Sequence, residues 1–269
     1  MSNSYYWRRL LRPIRQLPDF IIIGAQKAGT TFLFHYLSQH PDIIAPPEKE
    51  VHFFNQRADE PITHYKHYFP LKIRRLINPR LIAGEATPDY IIYPQVAKLI
   101  KEHIPNVKLI VLLRNPIDRA FSHYKHNISK KREWHSFEDA LKYEEIRTNL
   151  DYIDIYTTRK DTIKNYCNFS YKRKGIYVEQ LQWIYNYFNK NQVLIVESER
   201  LFSRSDETIH GVTEFLGLRP LSFSSYPAKG VSKLDLSLNA RTRDKLGKYF
   251  SDHNQSLFSL IGKSFDWDQ

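Results

Sequence analysis

One stretch decides the fold of this chain: Asp19-Phe-Ile-Ile-Ile-Gly-Ala-Gln-Lys-Ala-Gly-Thr-Thr31. It begins with a short apolar run, typical of a buried strand, passes through a turn bracketed by two glycines, and continues into a helical pattern. Backbone N–H groups in such a turn point inward, and the helix N-terminus adds partial positive charge. Lys27, Thr30 and Thr31 supply an ammonium group and two hydroxyls. The stretch therefore predicts a phosphate-binding loop.

This loop differs from the nucleoside-triphosphatase version. That version follows the pattern G-x-x-x-x-G-K with Ser or Thr next, so its lysine comes directly after the second glycine. Here Gly29 is followed by Thr30, and Lys27 lies two residues before the glycine. The alternative for the isolated stretch is a tight strand-to-helix turn in which Lys27 is only solvated.

The rest of the chain alternates apolar runs with helical spacing. Further strands are predicted at 80–84, 107–113 and 192–196. Helices are predicted from Phe32, around 93–102, from Ile117, from Tyr177 and over 246–261. The alternation predicts an α/β protein with a single-domain, P-loop-like fold, in which a central parallel sheet is flanked by helices.

The chain is predicted to consist of a basic N-terminal tail, 1–18, and one domain, 19–269. Two stretches, 46–79 and 130–174, are interpreted as excursions from the sheet, and excursions of this kind usually border a site. The tail has only short apolar runs, so it predicts neither a signal peptide nor a transmembrane segment. Its arginines and aromatic residues could make peripheral contact with an anionic membrane.

The composition limits the classes of ligand and the cellular compartments that fit this protein. The 269 residues include 40 Lys and Arg against 29 Asp and Glu, a formal charge of +11, which suits either nucleic acid or a polyanionic small ligand. Cys167 is the only cysteine, so no internal disulfide and no thiolate metal site is expected. A single thiol fits a reducing compartment, and the predicted localisation is cytoplasmic.

A second phosphate-facing element is predicted where the strand over 107–113 ends. Asn115 can cap the helix that follows, and Pro116 suits its first position. Arg114 then lies at the carboxyl end of a strand, the end that faces the ligand crevice in open α/β sheets. Its planar fork and the hydroxyl of Ser122 could together hold one phosphoryl group. The alternative is that Arg114 pairs with a neighbouring carboxylate.

A third element is the segment Lys49-Glu-Val-His-Phe-Phe54. A carboxylate beside the His52 imidazole and against two phenylalanines could have its proton affinity raised, so that Glu50 could serve as a general base. In isolation, a surface Glu and His pair is the commoner arrangement.

In order and residue type, the three elements resemble the PAPS-dependent sulfotransferases, particularly the branch with the Golgi heparan sulfate sulfotransferases and their bacterial relatives. The segment 26–31, with Lys27, Ala28, Gly29, Thr30 and Thr31, is similar to the family's 5′-phosphosulfate loop. Arg114 with Ser122 is similar to its 3′-phosphate clamp, and Glu50 falls at its catalytic base. Lys229 and Gly230 resemble its late nucleotide-binding loop.

The resemblance implies a sulfotransferase enzyme. Its co-substrate would be 3′-phosphoadenosine 5′-phosphosulfate (PAPS), its acceptor a hydroxyl or amine, and no metal would be needed. Glu50 would remove the acceptor proton, Lys27 would stabilise the leaving oxygen, and His52 would orient Glu50 or touch the acceptor. Lys229 and Gly230 would close over the nucleotide.

The acceptor is left open between a carbohydrate or glycolipid and a small natural product. Glycan-modifying relatives carry a lysine where this chain has Ala86, and a disulfide that one cysteine cannot form. Two other functions are alternatives. A P-loop nucleotide kinase would need a lysine after Gly29. A nucleic-acid-binding protein is suggested by the charge, but a polyanionic donor already accounts for a basic crevice, so no nucleic-acid partner is predicted.

Overall fold

The computed structural model describes residues 11–148, 152–220 and 234–267. Its centre is a five-stranded sheet in the order β2-β3-β1-β4-β5, and every neighbouring pair is parallel. The strands are β1 (Phe20–Gly24), β2 (Ile43–Ile44), β3 (Ile82–Ala86), β4 (Lys108–Leu113) and β5 (Val193–Glu197).

Helices connect the strands and cover the sheet. Those in the described residues are α1 (Thr30–Leu37), α2 (Phe53–Gln56), α3 (Ile62–Lys66), α4 (Arg74–Ile77), α5 (Pro94–His103), α6 (Pro116–Ser129), α7 (Phe137–Thr148), α8 (Lys160–Phe169), α9 (Tyr177–Tyr185), α10 (Ser198–Ser203), α11 (Ser205–Leu216) and α12 (Ala240–Ile261). Short 3-10 helices lie at Arg12–Ile14, Tyr90–Ile92, Arg173–Gly175 and Lys190–Gln192. The predicted α/β class with a parallel sheet flanked by helices is confirmed.

The middle of the sheet is completely buried, as its apolar sequence predicts. Every residue of β1 is buried, and Phe20 pairs with Gly84 of β3 on one side and Lys108 of β4 on the other. A Cβ atom on Gly84 would lie 2.1 Å from the Phe20 ring, which is closer than non-bonded atoms approach. Glycine is therefore required there for the ring to fill the core.

Two details of the sheet differ from the sequence prediction. The strand predicted at 80–84 lies two residues later, because the chain turns at Asn78, whose side chain accepts from the backbone N–H of Arg80. Pairing with the preceding chain starts only at Ile82, whose N–H donates to the Asp42 carbonyl. The edge strand β2 was not predicted, since two residues are too few to establish a period of two.

The predicted excursions are not irregular loops. The first contains α2, α3 and α4, and the second contains α7 and α8. Their aromatic residues form part of the core beside β3: Phe53 stacks on Tyr65, and Phe54 meets both rings edge to face. Burial of these rings fixes the segment just before α2, where the third predicted element lies.

The segment before β1 contacts the domain from its first described residues. Arg15 and Gln16 are buried, the Gln16 N–H donates to the Pro70 carbonyl at 3.0 Å, and Arg15 pairs with Leu71 in an antiparallel bridge. Residues 1–10 of the predicted tail lie outside the described residues. In the part of the chain that the structure describes, no helix has both the length and the apolar character required to cross a membrane.

Candidate active site

The predicted phosphate-binding loop lies between the carboxyl end of β1 and the start of α1. Lys27 and Gly29 adopt positive φ angles of 71° and 93°, which turn the chain sharply into the helix. A Cβ atom on Gly29 would lie 3.1 Å from the Phe202 ring. The positive φ at this position also favours glycine. No side chain of the described residues caps α1, so the N–H groups of its first turn are available to an anion.

Lys27 lies in a strongly positive environment. Burial lowers the pKa of its ammonium group, and the nearby charges of Arg114, Arg119 and Lys125 lower it further. Within the described residues the ammonium has no hydrogen-bond or ion-pair partner. Clustered cations repel one another unless an anion lies between them, so the loop is electrostatically prepared for a polyanion.

Arg114 joins the second predicted element to the loop. It follows the last residue of β4, and its Nη1 donates to the Lys27 carbonyl at 3.2 Å. The Tyr177 hydroxyl donates to the carbonyl of Arg114 at 2.9 Å, which fixes the backbone there. Asn115 and Pro116 begin α6 as predicted, with the Asn115 side chain accepting from the N–H of Ile117.

Ser122 lies within α6, about two helical turns after Arg114. It is half-buried, and its hydroxyl has no hydrogen-bond partner among the described residues. No hydrogen bond between Ser122 and Arg114 is found in the described part of the chain, so their joint binding of one phosphoryl group stays a prediction. Lys229 and Gly230 lie outside the described residues.

Arg119 is a charged residue of this site that the sequence did not reveal. Its side chain is completely buried, and its Nη2 donates to the Tyr171 carbonyl. Its Nε and Nη1 atoms have no partner within the described ranges. An arginine in an amphipathic helix is usually taken for an exposed residue, so no sequence signal marks it. Its positive charge contributes to the lowered pKa of Lys27 in the loop.

The third predicted element lies directly beside the phosphate-binding loop. Lys49 Nζ donates to Thr31 Oγ1 at 3.2 Å and to Glu50 Oε1 at 3.4 Å. The other carboxylate oxygen of Glu50 lies 3.1 Å from His52 Nε2. Thr31, Lys49, Glu50 and His52 therefore form one continuous polar chain. The sequence prediction included Lys49 in the motif but gave it no role.

The expectation of a raised proton affinity for Glu50 was wrong. Burial alone would raise the pKa of Glu50, but the hydrogen bond from His52 and the charge of Lys49 together lower it below its ordinary value. Burial alone would likewise lower the pKa of His52, whereas the bond to Glu50 and the charges of Asp89 and Glu85 raise it. Glu50 is therefore an ionised carboxylate at neutral pH, and it retains an exposed side-chain fraction of 28%.

Thr87, just after β3, fixes the Glu50 segment. Its Oγ1 accepts from the N–H groups of Val51 at 3.2 Å and His52 at 3.4 Å, and it donates to Glu85 Oε2 at 2.6 Å. Glu85 is fully buried, and the Tyr65 hydroxyl donates to its other oxygen at 2.7 Å. The position of Thr87 at the carboxyl end of a parallel strand is a signal that could have identified it.

Lys174 supports the other side of the loop. Only 2% of its side chain is exposed. Its Nζ donates to Gln26 Oε1 at 3.2 Å, to the Cys167 carbonyl at 2.9 Å, and forms an ion pair of 3.3 Å with Asp89. This network ties the residue before Lys27 to the chain that follows β3. No local sequence pattern marks Lys174 as a site residue, because Gln26 and Asp89, its partners beside the loop, are distant along the chain.

Known proteins resemble this chain over most of its length. A family model described as a sulfotransferase domain matches residues 17–267. Human heparan sulfate glucosamine 3-O-sulfotransferase 6 is 32% identical in an alignment 276 positions long that covers 94% of this chain and 74% of that protein. The membrane-associated sulfotransferase kil1 of Dictyostelium discoideum is 28% identical in an alignment 317 positions long that covers 93% of this chain and 66% of kil1. The chain thus spans just under two thirds of the length of kil1.

Among solved structures, a sulfotransferase from Alicyclobacillus acidocaldarius superposes with a TM-score of 0.72 at 28% identity, covering 94% of this chain and all of that one. This similarity supports the predicted P-loop-like fold. Because the family model covers nearly the whole chain and includes the phosphate-binding loop, Arg114 and Glu50, the chain belongs to the sulfotransferase family.

Proposed function

We propose that this protein transfers a sulfuryl group from PAPS to a hydroxyl or amine of an acceptor. The observation that carries the proposal is the cationic cluster at the carboxyl end of β1, where Arg114 Nη1 donates to the carbonyl of the partly buried Lys27. The charges of Arg119 and Lys125 also act on the Lys27 ammonium group. A donor with phosphates at both ends of its ribose relieves that repulsion. The ordinary kinase arrangement is disfavoured, because the lysine precedes Gly29 instead of following it.

The donor lies across the carboxyl ends of β1 and β4 in this proposal. Its 5′-phosphosulfate occupies the loop, with Ala28, Gly29, Thr30 and Thr31 around the phosphate and the N-terminus of α1 pointing at it. Arg114 and Ser122 recognise its 3′-phosphate, which distinguishes PAPS from ATP. We assign Lys229 and Gly230 to closure over the nucleotide.

Transfer in this site is an in-line displacement. The acceptor oxygen forms a bond to sulfur while the bond from sulfur to the bridging phosphate oxygen breaks, and adenosine 3′,5′-bisphosphate leaves. Glu50, ionised by Lys49 and His52, takes the acceptor proton. Lys27 stabilises the charge that develops on the bridging oxygen. His52 orients Glu50 through its Nε2 contact.

The proposed acceptor is a carbohydrate or glycolipid, with a small natural product as the second candidate. The carbohydrate assignment draws on relatives whose names specify heparan sulfate glucosamine. Ala86, which occupies the position of a lysine in the glycan-modifying relatives, argues that the acceptor of this chain differs from heparan sulfate itself. The single cysteine supports our assignment of the activity to the cytoplasm.

The proposal is tested by incubating the full chain with PAPS radiolabelled in the sulfuryl group and a panel of acceptors. The panel contains heparan sulfate, uncharged polysaccharides, glycolipids and small phenols, and labelled product is separated from donor by chromatography. We expect label to enter at least one carbohydrate without added metal. Absence of transfer to every acceptor, together with phosphoryl transfer from ATP, would support the kinase alternative instead.

A further inference from the structure

Four large apolar side chains project into solvent at one place on the surface, and we call them the α4 patch. Their exposed fractions are 53% for Ile14, 59% for Ile73, 82% for Leu76 and 84% for Ile77. The first is brought to the other three by a hydrogen bond of 3.0 Å from the Lys72 N–H to the Ile14 carbonyl. Single exposed apolar residues are ordinary, but a contiguous group of this size indicates an interaction surface.

Positive charge surrounds the α4 patch. Lys72, Arg74 and Arg80 are exposed on the same segment. Neither 11–18 nor 61–84 contains an aspartate or glutamate. The acidic residues that flank these segments are already engaged: Asp19 pairs with Arg75, Glu60 pairs with His64, and Glu85 is fully buried with hydrogen bonds from Tyr65 and Thr87. Asp42, whose carboxylate accepts from Asn78, pairs with Arg219. The surface therefore combines projecting aliphatic side chains with cations that no neighbouring acidic residue of these segments neutralises.

We propose that the α4 patch docks this protein on an anionic lipid bilayer. Aliphatic side chains that project from a short helix between lysines and arginines enter the headgroup boundary, while the cations meet anionic lipid. The neighbouring sequence has the same character. Residues 1–10 join the described chain at Leu11, close to Ile14, and they contain Tyr5, Tyr6, Trp7, Arg8 and Arg9.

The position of the patch in the fold keeps docking separate from catalysis. Helix α4 precedes β3, and Arg75 of that helix binds Asp19 just before β1, so the patch lies at the amino ends of the strands. Lys27 follows the carboxyl end of β1. A five-residue strand is about 17 Å long, so the site and the patch lie at opposite ends of the sheet. Docking leaves the phosphate-binding loop open to water.

The test is co-sedimentation of the full chain with vesicles of phosphatidylcholine, alone or mixed with phosphatidylserine. We expect binding only to the anionic vesicles, weakened by added salt. The double variant Leu76→Ser/Ile77→Ser is expected to lower the partition coefficient about tenfold or more. The triple variant Lys72→Gln/Arg74→Gln/Arg80→Gln is expected to lower it by a similar factor on anionic vesicles, and to reduce its dependence on salt.

The matched control is Trp134→Ser/Ile146→Ser, which removes two apolar side chains that are each 78% exposed elsewhere on the surface. It should bind vesicles like the wild type. Each variant should also keep the thermal midpoint and the nucleotide affinity of the wild type, since all these positions are exposed and outside the site.

Several results would overturn the proposal. Failure of the wild type to bind anionic vesicles would do so, as would equal loss in the Leu76/Ile77 variant and in the control. Loss of binding in Trp7→Ser but not in Leu76→Ser/Ile77→Ser would assign the contact to the N-terminal segment alone. The wild type could instead self-associate without binding vesicles, and Leu76→Ser/Ile77→Ser could abolish that self-association. This result would show that the α4 patch binds a second copy of the chain.

Discussion

Replacing Lys27 with alanine is expected to lower the turnover of sulfuryl transfer by about 100-fold or more. In the proposed mechanism the ammonium group lies in the loop that would hold the 5′-phosphosulfate, and its positive charge is needed most when negative charge develops on the bridging oxygen. Alanine removes that charge but leaves the backbone strain unchanged, because position 27 has a positive φ of 71° and both residues have a Cβ atom. The measurement is kcat with saturating donor and acceptor.

The control for this prediction is Lys130→Ala, at the exposed end of α6. Its turnover should stay within about twofold of the wild type, as is usual for surface substitutions away from a site. The role of Lys27 is contradicted if its alanine variant keeps near-normal kcat, or if only the KM for the donor changes, because uniform binding of donor and transition state would then explain the loss.

Replacing Glu50 with glutamine is expected to lower kcat by about 100-fold or more, the effect of losing a general base. Glutamine keeps the size of the side chain and an oxygen that can accept from His52 or Lys49, so the polar chain to Thr31 is preserved while the proton acceptor is lost. The matched control is Glu48→Gln, an exposed carboxylate two residues earlier. A Glu50→Gln variant as active as this control would refute the assignment.

The pH dependence of kcat gives the same residue an independent test. Burial opposes ionisation of Glu50, but His52 and Lys49 lower its pKa, so the base stays ionised below the ordinary value of 4.5. The decrease in kcat at acid pH that reports protonation of Glu50, the acid limb of the profile, is therefore expected below pH 4.5. In His52→Gln the largest lowering contribution is lost, and the limb should move to higher pH. A limb that does not move would show that His52 does not set the pKa of Glu50.

The local backbone geometry of the candidate site could be predicted from sequence. The phosphate-binding loop and the start of α6 each combine a strand end, a turn and a helix start within a few residues, so their geometry follows from neighbours in the chain. The placement of Glu50 beside the loop could not be derived that way. It depends on Thr87 holding the backbone at Val51 and His52, a contact between distant segments.

The site residues that could not be identified from the sequence escaped identification for one physical reason. Arg119 and Lys174 are charged side chains that the fold buries, and burial of a charge is decided by partners far along the chain, such as Tyr171 and Gln26. The wrong direction for the pKa of Glu50 has a similar origin. Hydrophobic neighbours were visible in the sequence, whereas the geometry that places Lys49 and His52 on the same carboxylate was not.

The most direct test of the donor site is isothermal titration with adenosine 3′,5′-bisphosphate, compared with ADP plus magnesium and repeated on Arg114→Ala. We predict micromolar or tighter binding that requires the 3′-phosphate, and a loss of about tenfold or more in the variant, because a charged hydrogen bond is removed. Equal or tighter binding of ADP with magnesium, unaffected by Arg114→Ala, would contradict the assignment of this site to PAPS.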